Sequence, residues 1–153
     1  MHRIQHGRRQ SLARGSAALT VIAVLAVTGC STPEETRDAI ATGEDGQVGV
    51  VKLRSMLVVS AEEGMPGRLL GTLDNESSAA IEVTVSDADD QVEVTVPANG
   101  QYPLDTNEEI LSTVEEPPGA LTEITLTTPS DSVTLDVPVL DGTLDQYEPY
   151  LPD

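Results

Sequence analysis

From residue 48 onward, apolar and polar residues alternate with period two, and each alternating run stops at a cluster of turn-forming residues. Such alternation marks strands that bury one face. Val51, Leu53, Ser55, Leu57 and Val59 share one side of a run from Val48 to Ser60, and Lys52, Arg54 and Met56 share the other. Glu62-Glu63-Gly64-Met65-Pro66-Gly67 turns the chain into a second run, Arg68 to Asp74, with Leu69, Gly71 and Leu73 on one side. Ala79 to Ser86 carries Ile81, Val83 and Val85 against Glu82 and Thr84. Val92, Val94 and Val96 then alternate with Glu93 and Thr95. The short acidic stretch Asp87-Ala88-Asp89-Asp90 between them makes this the strongest hairpin signal in the chain.

Pro97-Ala98-Asn99-Gly100 is a further turn, since Asn-Gly tolerates positive φ, and it feeds a short strand over Gln101 to Asp105. Residues 106 to 119 are less regular. There Ile110, Leu111 and Val114 suit a loop or a helical turn docked on the core. Ala120 to Thr127 and Ser132 to Leu140 form a last hairpin about Thr128-Pro129-Ser130-Asp131, with Pro138 suited to an edge or a strand end because it donates no ladder bond. The tail from Gly142 spaces Leu144, Tyr147, Tyr150 and Leu151 almost as a helix would, and reads as docked. About seven short strands without alternating helices predict an all-β fold: an antiparallel, immunoglobulin-like β-sandwich over residues 48–153.

The N-terminal residues follow a different pattern. Arg3, Arg8, Arg9 and Arg14 precede an apolar run from Ala17 to Val27, then the small residues Thr28 and Gly29 and the sole cysteine, Cys30. A basic region, an apolar stretch and small residues describe an export signal. As a helix the run rises about 17 Å, short of the hydrocarbon core of about 30 Å, which disfavours a permanent span. Residues 1–29 are therefore read as a cleaved signal peptide, and the polar, glycine-containing residues 30–47 as a lipidated flexible tether in which 34–41 could form a short helix.

Composition sharpens this reading. Four of the eight basic residues and none of the 26 acidic ones fall in the leader, so the processed chain carries about −22 from four cations against 26 acids. That charge repels phosphate backbones, which excludes nucleic acid and leaves cationic partners or an envelope protein. Phe and Trp are missing from the chain, so the core must be aliphatic.

Candidate chemistry is sparse. His2 and His6 lie in the leader, leaving a serine or threonine of the domain no imidazole base. Lys52 beside Arg54 fits a solvated strand face better than a Ser-Lys pair. Glycoside hydrolysis needs only two carboxylates, but their abundance singles out no pair. Asp87, Asp89 and Asp90 offer oxygen ligands for calcium without the loop of an EF-hand, and Glu108-Glu109 and Glu115-Glu116 are comparable candidates; solvated turns are the alternative. For copper, the domain offers only the thioethers Met56 and Met65. Neither an enzyme nor a resident cofactor is expected.

Val27-Thr28-Gly29-Cys30 resembles the lipobox of bacterial lipoproteins, which implies cleavage before Cys30 and a diacylglyceryl group on its sulfur. Two acyl chains anchor a protein stably where one does not. With 64–75 (GMPGRLLGTLDN) and 137–144 (VPVLDGTL), the chain resembles a group of actinobacterial cell-envelope lipoproteins, themselves distantly similar to periplasmic copper-chaperone domains. The likeness implies a sandwich held at the outer face of the cell membrane. The copper ligands of those domains, histidines and methionines, do not carry over, because no histidine follows residue 29. The functional expectation is a membrane-anchored, non-enzymatic binding or assembly module, with a metallochaperone-like role as the alternative.

Overall fold

The computed structural model describes residues 42–153. The expected signal peptide, the lipobox-like Val27-Thr28-Gly29-Cys30, the suggested helix at 34–41 and most of the expected tether lie outside the described residues. Nine strands follow in order: β1 (Glu44–Val48), β2 (Val51–Ser60), β3 (Met65–Asn75), β4 (Ile81–Ser86), β5 (Gln91–Val96), β6 (Gly100–Pro103), β7 (Ile110–Val114), β8 (Leu121–Thr127) and β9 (Ser132–Leu140). They form an all-β sheet ordered β5-β4-β8-β9-β2-β3-β6, with β1 added to β2 and β7 to β3. All ladders are antiparallel except one: β2 and β9 pair in parallel at Val58↔Val139 and Val59↔Leu140. That joint links the two layers into one partly barrel-like sheet.

Two of the nine strands are absent from the sequence expectation and two others have shifted bounds: Val48 belongs to β1 with Gly49 and Val50 as the turn before β2, and β3 already begins at Met65, inside the expected 62–67 turn. β1 occupies residues assigned to the tether. Its sequence, Glu-Asp-Gly-Gln-Val, has no apolar alternation, and it is held by backbone pairing to β2 through Gly46↔Leu53, Gln47↔Lys52 and Val48↔Val51. A Cβ on Gly46 would come within 2.9 Å of Leu135 Cδ2, so glycine lets the strand lie close over β9. β7 takes the place of the expected loop or helical turn, pairing with β3 at Gly67↔Leu111 and Arg68↔Ile110 and burying Leu111 and Val114.

A bulge corrects the face assignment of β2. Arg54 pairs with Thr72 and Leu57 with Leu70, so Ser55 and Met56 together oppose Gly71 alone. Ser55 takes φ 52°, and its N–H donates to Asp45 Oδ1 of β1 at 2.7 Å. The extra residue advances the alternation by one. Val51 and Leu53 before the bulge, and Met56 and Val58 after it, face the main core with Leu69, Leu73, Val85, Ile124 and Leu126. Met56, expected on the outer side with Lys52 and Arg54, is only 1% exposed.

Leu57 and Val59 consequently face outward, and the C-terminal tail covers them. Tyr147, Tyr150 and Leu151 pack with Leu57, Val59, Leu70 and Leu140 in a second apolar cluster. The Arg68 guanidinium lies 5.1 Å from the Tyr150 ring centroid, a cation–π contact that pins the 3₁₀ turn Glu148–Tyr150. Leu144 does not join the tail's docked side; it is exposed.

Pro138 sits on an interior strand rather than an edge. The Val139 N–H donates to the Ala120 carbonyl at 2.9 Å, and the Gly119 N–H to the Val139 carbonyl at 2.8 Å. Because successive peptide groups point to opposite sides, the Pro138 nitrogen points away from β8, toward the flank where the β2 pairing begins only at Val139. The proline costs no ladder bond there.

Candidate functional site

β4 and β8 pair over only three residues: Thr84↔Thr127, Val85↔Leu126 and Ser86↔Thr125. At Asp87 the chain leaves the ladder. Asp87 Oδ1 accepts the N–H groups of Asp89 (3.0 Å) and Asp90 (2.8 Å), and the Asp87 N–H donates to the Asp90 carbonyl at 3.1 Å, closing the turn to β5. β8 continues to Leu121 without β4 beside it. A cavity of about 330 Å³ opens there, and a second lobe of about 610 Å³ shares Thr113, Glu115 and Glu116 with it and extends to Glu63.

The lining of this groove is acidic. Asp87 and Asp89 come from the β4–β5 turn, Glu115 and Glu116 from the end of β7, Glu123 from β8, and Glu63 from the β2–β3 loop. Among the described residues the only Lys and Arg are Lys52, Arg54 and Arg68, and each is already paired on β2 or β3. Lys52 Nζ lies 2.6 Å from Glu76, Arg54 3.6 Å from Asp74 and Arg68 3.4 Å from Glu108. The groove thus has no counter-charge among the described residues, and its six carboxylates give it a negative potential that attracts cations.

Asp90 plays a different part from its neighbours. Its Oδ2 accepts the Ser112 hydroxyl at 2.6 Å and the Ser112 N–H at 2.7 Å, and its Oδ1 accepts the Gln91 N–H at 2.8 Å. This clamps the β4–β5 turn to β7 across the groove. Hydrogen bonds from the Ser112 hydroxyl, then from the Ser112 and Gln91 amides, hold its carboxyl below the ordinary 3.8. A depressed folded-state pKa gives stability that is present above the unfolded value and lost as pH falls through the folded one. Asp90→Ala should therefore lower Tm at neutral pH, and the gap from wild type should close as pH drops below 3.8. Thermal melts across that range check this; a gap that does not change with pH would show that the carboxylate charge carries none of the clamp.

The remaining candidates are distributed. Glu109 accepts a 2.7 Å hydrogen bond from the Tyr102 hydroxyl, and burial, with that bond and the carboxylate charge, pushes the phenol up to about 12. Glu108 pairs with Arg68 and Lys52 with Glu76, so neither borders the groove. Met56 lies in the core opposite Gly71, whereas Met65 is exposed at the start of β3, six residues along that strand. At about 3.3 Å per residue, six positions separate the two sites by about 20 Å of strand backbone. Among the described residues no group of three or more His, Cys, Asp or Glu is arranged to hold a metal ion, and no helix is long and apolar enough to cross a membrane.

Compared with family models and with curated proteins, the chain matches none. Sequence reasoning found Asp87, Asp89, Glu115 and Glu116 but missed Leu121, Thr122 and Glu123 of β8. The available signal was weak: the acidic turn ends β4 at Ser86, which leaves the start of any longer partner strand uncovered.

Proposed function

We propose that this chain is a lipoprotein anchored through Cys30 at the outer face of the cell membrane, where its β domain serves as a non-enzymatic binding or assembly module of the envelope. The lipobox Val27-Thr28-Gly29-Cys30 and the leader before it support the address, as does the resemblance to actinobacterial cell-envelope lipoproteins. The observation that carries the role is the groove between the β4–β5 turn, β7 and β8: six carboxylates without a counter-charge, in a domain whose three described cations are committed elsewhere. A cationic segment of an envelope protein is the partner such a surface favours. Coulombic steering toward it weakens with salt.

Cys30→Ala removes the acceptor for both acyl chains. The variant should move from the membrane fraction to the soluble fraction, and the intact mass of the wild-type protein should correspond to residues 30–153 plus a diacylglyceryl modification. Unchanged membrane retention of the variant, or a wild-type mass with residues 1–29 still attached and no lipid, would overturn the anchoring.

A further inference from the structure

The open side of β8 carries more than negative charge. The Ala120 carbonyl faces β9, since it accepts the Val139 N–H at 2.9 Å. Peptide groups alternate along a strand, so those of Thr122 and Ile124 also face β9, and the N–H and C=O groups of Leu121 and Glu123 point the other way. On that side β4 has ended at Ser86, the residue opposite Thr125. From Leu121 to Ile124, about 10 Å at 3.3 Å per residue, β8 is therefore a strand edge without a partner among the described residues, opening on the acidic cavity.

Two side chains on this edge point to a ligand independently of the carboxylates. Thr122 is 8% exposed and lines the cavity, yet its hydroxyl makes no hydrogen bond among the described residues. That hydroxyl keeps its contact with the cavity, so it is open to a hydrogen bond from a polar group entering there. Beside it, Leu121 is 56% exposed, an apolar contact for the side chain of an added strand.

We propose that this edge accepts an extended lysine- or arginine-bearing segment of a partner protein as an additional strand antiparallel to β8, continuing the line that β4 abandons. Ladder bonds to Leu121 and Glu123 supply affinity, and Asp87, Asp89, Glu115, Glu116 and Glu123 select cationic side chains. The same acids disfavour a second copy of this chain, which carries −18. This inference rests on the reading of the domain as a binding module and specifies how its groove binds.

The test uses the full-length chain in mild detergent and fluorescence anisotropy with a labelled alternating lysine–valine octapeptide. A counterpart methylated on every backbone nitrogen keeps all the charges but donates no ladder bond. The unmodified peptide should bind saturably, and the methylated one at least about ten-fold more weakly, the loss expected for one or two ladder bonds. Glu123→Gln should weaken binding a few-fold and flatten its salt dependence. Glu123→Pro should abolish it while leaving the far-ultraviolet circular dichroism unchanged, because that nitrogen faces the open side, where proline is tolerated. Equal binding of the methylated peptide, or full binding by Glu123→Pro, would overturn strand addition and leave the acidic binding module standing. No binding of either peptide or of spermine would overturn both. Neither result depends on whether Cys30 carries lipid.

Discussion

Gly71→Ala is expected to cost about 3 kcal/mol of unfolding free energy, from backbone strain and overpacking that each contribute about 1–3 kcal/mol. Gly71 takes φ +127°, a conformation that side-chain-bearing residues rarely adopt. A Cβ there would lie 2.8 Å from the Arg54 carbonyl oxygen, 2.8 Å from Met56 Sδ and 3.1 Å from Met56 Cα. The sulfur could swing aside, but the two backbone atoms belong to the bulge itself and cannot. Adding Met56→Ala to Gly71→Ala should therefore recover little. Urea unfolding of the single and double variants measures this; a loss below about 1 kcal/mol for Gly71→Ala would mean that the bulge yields.

The same bulge explains why part of the fold was legible and part was not. The hairpins β4–β5 and β8–β9 could be read from the sequence because their alternation runs unbroken between turn signals, and the Asn99-Gly100 turn and the docked tyrosines of the tail were equally visible. In β2 the alternation appears continuous from Val51 to Val59, but the extra residue at Ser55 exchanges the faces halfway along. Once the tail covers the outer side, the continuous burial of residues 56–60 has two destinations, the main core and the tail cluster. Period alone cannot reveal an inserted residue when apolar side chains occupy both faces beyond it. β1 escaped detection for the opposite reason: four of its five residues are polar or glycine, and its place is set by partners distant in sequence.

The groove was half legible on the same grounds. The acids at 87, 89, 115 and 116 could be found as local clusters, but clusters of acids usually mark solvated turns. Their convergence depends on long-range facts: β7 is a strand on β3, the β4–β5 turn is clamped to it through Asp90 and Ser112, and β8 outruns β4. Leu121, Thr122 and Glu123 gain their meaning only from the missing neighbour on one side of their strand. The site is thus a product of register, which the residue pattern constrains only within each hairpin.

Register is in turn fixed where β3 ends, and Asn75→Asp should damage that point more than any truncation. Asn75 is fully buried, and its Nδ2 donates toward the carbonyls of Ala79 (2.8 Å), Pro97 (3.1 Å) and Val96 (3.3 Å), while its Oδ1 accepts the Ser77 N–H at 2.9 Å. One side chain thereby ties β3, which pairs there with Val51 and Gly100, to the entry of β4 and the exit of β5. Asn75→Ala leaves those carbonyls without their donor, at about 2–3 kcal/mol. N75D keeps the volume but sets a carboxylate oxygen against three carbonyl oxygens with no cation among the partners of that side chain, and an uncompensated buried charge costs about 3–5 kcal/mol. The chemically closer substitution should be the less stable of the two at pH 7. Burial and the facing carbonyls raise the introduced carboxyl's folded-state pKa above its unfolded value, so its penalty is full above the folded pKa and relieved as pH falls through it. In urea titrations from pH 7 to pH 4, N75D should therefore gain on Asn75→Ala. If N75D matches or exceeds Asn75→Ala at neutral pH, the side chain is not the donor hub that holds the two layers in register, and the geometry of the groove must be set elsewhere.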